Sequence, residues 1–232
     1  DKYTVRSYLE AHNLGAYLNE LYGVWDNANE IDFNKLPNKF VLKVSAGCGY
    51  NIICSDKSKL NINKTKKQLN AWLKEDFGKF NAEPHYSKMK SRIICEKFLG
   101  GDIIDYKYFI FNGKYRFMYI AQGFGDGLNE RMTHFDENGN VAPFQRTCYR
   151  QMLEAKVPDK HESMKKLSEK LAGDLPFVRV DWFEVNGRIY FGEMTFTPGG
   201  GTFSVVPKEY DAKFGEMLDI SKEIEKRCTA TL

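Results

Sequence analysis

The stretch that most constrains this chain is Val178 to Gly200, VRVDWFEVNGRIYFGEMTFTPGG. Two runs rich in β-branched and aromatic residues flank Asn186-Gly187. Asn and Gly both tolerate the positive φ of a tight turn, so the pattern predicts a β-hairpin. Asp181 falls on its first strand and Glu193 on its second, near the open end. Side chains two apart leave a strand on one face, which groups Arg179 with Asp181 and Glu193 with Thr195. Two carboxylates converging beside a guanidinium make a site for a hard cation carrying phosphate.

Charged residues at hairpin ends are more often simply solvated. Here the neighbours Val178, Val180, Trp182, Ile189, Phe191 and Met194 are apolar, so the ribbon reads as largely buried. Buried carboxylates need a partner or a metal. Register raises a difficulty. A strict two-residue turn pairs Asp181 with Gly192 and turns Glu193 to the opposite face. The metal reading therefore requires a longer loop or a bulge, for which Gly192 is the candidate.

With 232 residues, 42% hydrophobic and 14% aromatic, the chain can bury a sizeable core, in one large domain or two small lobes. A net charge of +3, from 34 basic and 31 acidic residues, gives no nucleic-acid footprint. No apolar run is long enough to span a bilayer. No signal pattern opens the chain, and its first residue is Asp rather than Met, which leaves room for an upstream targeting segment. The five cysteines (48, 54, 95, 148 and 228) contain no C-x-x-C and read as reduced thiols of a cytoplasmic protein. The four histidines are scattered, which argues against a zinc site.

From the beginning, residues 1–12 predict a helix with an apolar stripe of Tyr3, Val5 and Leu9, stopped at Asn13-Leu14-Gly15. Lys2 and Arg6, four apart, share a face and by themselves read as a solvated basic stripe. Phe40 to Val44 is a buried-type strand carrying Lys43. Ser45-Ala46-Gly47-Cys48-Gly49-Tyr50 follows, then a strand from Asn51 to Cys54. Glycines let backbone approach a ligand, and successive N–H groups can form an anion nest. No G-K-[ST] leads into a helix, so this is not a Walker A loop, and a plain hairpin turn is the alternative. An interior strand is an expensive place for an unpaired ammonium, which singles out Lys43.

Within 57–80, Leu69, Trp72, Leu73 and Phe77 predict one amphipathic helix with a solvated lysine face. Arg92 to Leu99 is a buried strand interrupted by Glu96-Lys97. Residues 105–111 and 114–121 predict a second hairpin around Asn112-Gly113, with Asp105 and Lys107 on one face and Lys114 and Arg116 across from them. Cross-strand charge pairing alone accounts for those four. Residues 122–157, holding Arg131, Arg146 and Arg150, predict loops and a short hairpin around DENGN. Helices are expected over 158–173, 207–218 and 220–227.

Three separated elements can now be compared together: a strand lysine before a glycine loop, a strand ending in an acid-x-x-leucine hinge, and a terminal D…E-x-polar-x-x-P-G hairpin. Together they resemble the ATP-grasp superfamily. More narrowly, DKYTVRSYL, EIDFNKLPNKFVLKVSAGCGYNII, DYKYFIFNGK and VRVDWFEVNGRIYFGEMTFTPGGG resemble the TupA-like ATP-grasp family of teichuronopeptide biosynthesis. The resemblance implies an α+β fold in which two lobes of antiparallel sheet with flanking helices, here 1–98 and 99–232, sandwich ATP. It places Arg6 and Lys43 on the phosphates and Gly47, Cys48 and Gly49 in the loop over them. It gives the adenine amino group to Glu96, the hinge backbone to Lys97 and Leu99, and the ribose hydroxyls to Asp105. Arg179 would face the transferring phosphate, and Asp181, Glu193 and Thr195 would hold Mg²⁺. Thr195 stands where the superfamily usually has Asn. Lys107 and Arg131 fall where related ligases place basic groups near the γ-phosphate or the acceptor acid.

The activity so implied is ATP-dependent ligation of a small-molecule or glycan carboxylate to an amine, such as that of an amino acid, through an acylphosphate. Family analogy points to cell-surface polysaccharide as the setting. The rivals are a kinase of the same fold acting on a sugar hydroxyl, a glycosyltransferase, and a nucleotide- or glycan-binding module without catalysis. Sequence names neither the acceptor nor the oligomeric state.

Overall fold

The structure is a computed structural model and describes residues 1–101, 103–123, 130–221 and 223. The chain divides into two units, one of Asp1–Gly101 with Gly199–Gly201, the other of Asp102–Pro198 with Thr202–Leu232.

The first unit carries helix α1 (Val5–Ala11), strand β1 (Leu21–Trp25), the hairpin β2 (Phe40–Val44) and β3 (Asn51–Cys54), helices α2 (Ile62–Trp72) and α3 (Phe77–Phe80), and strand β4 (Ile93–Lys97). The strands form an antiparallel sheet in the order β1-β4-β2-β3. Phe40, Leu42 and Val44 are buried while Val41 and Lys43 between them are less so, the alternation of a strand with one face on a core. That core gathers Phe33, Leu36, Ile93, Cys95 and Leu69 of α2. Lys43 therefore leaves the sheet on the face away from it.

The predicted helix at the chain start begins later than expected. Asp1 accepts hydrogen bonds from the N–H groups of Tyr3 and Thr4, so the first four residues form a capped turn before α1. The helix over Leu69, Trp72 and Leu73 does not extend to Phe77. Phe77 opens the separate α3, and its ring meets those of Tyr50 and Tyr86 at 5.8 and 5.3 Å.

The second unit holds a five-stranded antiparallel sheet in the order β7-β6-β5-β8-β9. Its strands are β5 (Asp105–Phe111), β6 (Lys114–Gln122), β7 (Arg131–Phe135), β8 (Phe177–Val185) and β9 (Arg188–Thr195). Both predicted Asn-Gly turns are present, with positive φ at Asn112, Gly113, Asn186 and Gly187. Helix α4 (His161–Ala172) covers one face, where Trp182 donates its indole N–H to Ser168 at 2.8 Å. On the other face, Phe109, Phe111 and Phe117 meet Phe144 and, from helix α5 (Glu209–Glu216), Tyr210 and Phe214. Period-two alternation puts Asp105, Lys107 and Phe109 on that second face, together with Arg179 and Asp181 of β8. One end of the face is thus aromatic and the other charged.

Lys107 is not paired across to Lys114 or Arg116, as the isolated hairpin implied. Its cross-strand neighbour on β6 is Tyr119 and on β8 Asp181. Arg116 is the extra residue of a bulge in β6 and pairs with Glu137 at 3.5 Å. The short hairpin around DENGN is present, with a bridge from Phe135 to Val141. The expected loop over 124–129, most of the helix expected over 220–227, and Cys228 lie outside the described residues. Among the described residues no helix is long and apolar enough to cross a membrane.

Candidate functional site

In the second unit, β8 and β9 keep the register of a two-residue turn from Val185–Arg188 up to Trp182–Phe191. Beyond that point Val180 pairs with Met194 and Arg179 with Thr195. Gly192 and Glu193 together therefore oppose Asp181, which is a bulge at the predicted glycine. A Cβ on Gly192 would lie 3.1 Å from the Asp181 carbonyl oxygen and 3.0 Å from the Phe183 ring, so the bulge has little room for a side chain. The extra residue restores Glu193 and Thr195 to the side of Arg179.

The result is a cluster around one guanidinium. Arg179 donates through Nε to Asp181 Oδ1 at 2.7 Å, and through one terminal nitrogen to Asp181 Oδ2 at 2.7 Å, Glu193 Oε1 at 2.6 Å and Thr195 Oγ1 at 2.9 Å. Lys107 donates to Asp181 Oδ2 and lies 2.5 Å from Asp105 Oδ2. Asp181 is 1% exposed at its side chain, Glu193 31%. Burial disfavours charge on Lys107, yet Asp105 and Asp181 beside it outweigh that and hold the ammonium above the usual lysine range. Burial pushes the Asp105 carboxyl up to about 6, against the pull of Lys107.

The first unit builds a smaller cluster from residues far apart in sequence. Glu96 of β4 shares the sheet face of Lys43, and its two oxygens are taken by Lys43 Nζ at 2.7 Å and Arg6 Nη1 at 3.1 Å. Arg6 also donates to the Asn19 carbonyl at 2.8 Å. The glycine loop leaves β2 beside them. Gly47 and Gly49 have φ of +105° and +76°, and a Cβ on Gly47 would meet the rings of Tyr50 and Phe77 at 2.9 and 3.1 Å. Lys2 donates through its ammonium to the Gly47 carbonyl and through its backbone N–H to Ser45 at 3.1 Å. Sequence read Lys2 as part of a solvated basic stripe; its ammonium instead meets the glycine loop.

The family model described as TupA-like ATPgrasp matches residues 1–219. The chain belongs to the TupA-like ATP-grasp family. Among solved structures it resembles D-alanine–D-alanine ligase from Bacillus anthracis complexed with ATP, at 18% identity and a TM-score of 0.60, covering 99% of this chain and 67% of that one. It also resembles D-alanine–D-alanine ligase from Helicobacter pylori, at 19% identity and TM-score 0.52, over 86% of this chain and 54% of that one. L-amino acid ligase from Bacillus licheniformis follows at 14% identity and TM-score 0.52, over 87% and 44%. This chain thus spans about half to two thirds of the length of those ligases. None of the curated proteins matches it in sequence. The fold is ATP-grasp: α+β, two antiparallel sheets with flanking helices.

Against that family pattern, the remaining expected residues are dispersed. Lys97 ends β4, its carbonyl accepting from Asn19 at 2.8 Å and its N–H donating to Glu20 at 2.9 Å; Leu99 beyond it is half-buried. Cys48 and Gly49 are exposed on the loop. Arg131 is exposed at the start of β7 and donates to Gln122 at 2.8 Å; in the sheet order two strands separate β7 from β8, so it does not join the Arg179 cluster. Asn19, buried between Arg6 and Lys97, escaped sequence reading because a lone Asn carries no pattern.

The donors at the hairpin suit magnesium in kind. Among the described residues no three His, Cys, Asp or Glu side chains come together as a metal set, so the set here is two carboxylates and a hydroxyl, all oxygen. Their oxygens already converge on a single cationic nitrogen of Arg179. Asp105 Oδ1 is buried with no hydrogen-bond partner among the described residues, an acceptor the cluster leaves unmet.

Proposed function

We propose that this chain is an ATP-dependent ligase that joins a carboxylate to an amine. The observation that carries the reading is the bulge at Gly192, which groups Asp181, Glu193 and Thr195 around Arg179. Family membership and the ligases among the similar structures support it.

Asp181, Glu193 and Thr195 would hold Mg²⁺, which when bound supplies positive charge to the phosphoryl oxygens. Arg6 and Lys43, braced by Glu96, would bind the α- and β-phosphates, with the Gly47 to Gly49 loop above them. Asp105, with its unmet oxygen, would accept from a ribose hydroxyl. Arg179 and Lys107 stay cationic in their buried sites and would neutralise charge as the γ-phosphoryl passes to the substrate carboxylate. The amine then attacks the acyl carbon of the acylphosphate, and inorganic phosphate and a proton leave as the amide forms. Holding the reactants in line supplies most of the acceleration in such a transfer.

The family resemblance extends the proposal to a cell-surface polysaccharide as the source of the acid, a uronic acid joined to an amino acid. Phosphate release in the presence of MgATP, uronic acids and amino acids tests it. The expected outcome is release that requires both partners, with an amide detected by mass. Release with a sugar hydroxyl and no amine would replace the ligase with a kinase.

A further inference from the structure

Arg146 belongs to none of the clusters above. Its guanidinium lies over the ring of Phe203, 3.8 Å from the centroid, and 4.9 Å from that of Tyr149. Its Nε is buried and has no hydrogen-bond partner among the described residues. Among the described residues no carboxylate pairs with it.

The cradle is anchored. Gln145 and Val206 exchange both backbone hydrogen bonds at 2.9 Å, which locks the segment of Arg146 and Tyr149 to that of Phe203. The Gln145 side chain accepts from the His134 N–H of β7 at 3.0 Å, tying the pair to the sheet edge. Stacking fixes the plane of a guanidinium and leaves its N–H edges as the groups still able to bond. A partly buried cation with an orphaned donor calls for an anion, and a planar fork of N–H groups matches the two oxygens of a carboxylate. The cations expected on the α- and β-phosphates, Arg6 and Lys43, are in the other unit, and those expected on the γ-phosphoryl, Arg179 and Lys107, are paired in their own cluster.

We infer that Arg146, held by Phe203 and Tyr149, binds a carboxylate group of the substrate. This deepens the ligase reading and rests on it for what the carboxylate is used for.

The full chain, labelled with ¹⁵N-arginine, tests it by the Arg146 Nε–H resonance, assigned by its loss in Arg146→Lys. Sodium D-glucuronate, L-glutamate and inorganic phosphate are the probes. One of the two carboxylates should move the resonance saturably. By calorimetry Arg146→Gln should weaken that carboxylate about tenfold or more, and Phe203→Leu, which keeps the charge, severalfold, with MgATP affinity unchanged in both. The inference is overturned if neither carboxylate moves the resonance, if phosphate alone does, or if Arg146→Gln weakens MgATP as much as the carboxylate. Carboxylate binding through Arg146 without any ATP-dependent phosphate release would sink the ligase reading and leave this site standing. Ligase turnover with an unchanged KM for the acid in Arg146→Gln would do the reverse.

Discussion

The two units use the same device with opposite surplus. In the first, one carboxylate, Glu96, is shared by two cations, Arg6 and Lys43. In the second, two cations, Arg179 and Lys107, are shared by three carboxylates, Asp105, Asp181 and Glu193. The first cluster keeps one positive charge in excess, which suits phosphate. The second keeps one negative charge in excess, which suits a divalent ion. Burial differs as well: Lys43 is 26% exposed at its side chain, whereas Asp181 is 1% exposed. Charge in the second cluster is more deeply committed to the fold.

Neutralising one acid in each unit tests that difference most strongly. Asp181→Asn leaves Lys107 and Arg179 short of a buried counter-ion. It should cost about 3–5 kcal/mol in urea unfolding and lower ATP turnover on the order of 10²-fold. Glu96→Gln, beside more exposed cations, should cost about 1–3 kcal/mol. Equal costs would break the comparison.

A second contrast lies within the second unit and is read by pH. Burial pushes His134 down to about 4, so below the ordinary histidine range the unfolded chain takes up a proton that the native one refuses. Stability from His134 is complete above pH 6.5 and is lost as pH falls toward 4, a change on the order of 3 kcal/mol. Asp105, raised to about 6, has the opposite sign: its contribution is present below pH 3.8 and lost as pH rises through 6. The two oppose each other in the wild type. Asp105→Asn should uncover the histidine slope, so that urea midpoints rise steadily with pH from 4 to 6.5. A flat profile in that variant would remove the histidine contribution.

Gly192→Ala sharpens the role of the bulge. Its Cβ would press on Asp181 and Phe183, at a cost of about 1–3 kcal/mol. Turnover should fall further than stability explains, because Glu193 shifts relative to Asp181. The smallest effect is expected from Thr195→Val, which loses hydrogen bonds to Arg179 and Glu193 at 2.9 and 3.1 Å. About 1 kcal/mol should go in urea unfolding. An accompanying rise in the magnesium concentration needed for turnover would support Thr195 as a ligand.

Much of the fold was legible because its causes are local. Asn-Gly turns and two-residue alternation are set by neighbours within a few positions, and β2, β3, β5 and β6 fall where the pattern put them. Within the candidate site the local grouping of Arg179 with Asp181 and the bulge at Gly192 were legible from strand period, while the partners from distant strands were not. Lys107 read as one half of a local charge pair until β8 supplied Asp181, 74 positions away. Lys2 read as solvated until the loop carbonyl of Gly47 came to meet it. Phe77 read as part of the same helix as Leu69 and Trp72 because its spacing was right; it opens a separate helix, and its aromatic contacts come from outside that stretch.

What sequence settled by itself is the family and most of the inventory: the hairpin strands β2, β3, β5, β6, β8 and β9 and where they turn, though not β1 at Leu21–Trp25, and which acids and bases they carry. Tertiary structure alone decided which charges from distant strands meet. Arg6 reaches Glu96 across 90 positions, and a single extra residue at Gly192 returns Glu193 to the side of Asp181. Strand pattern has a period of two and is blind to a one-residue slip, whereas the hydrogen-bonded register of packed strands fixes it.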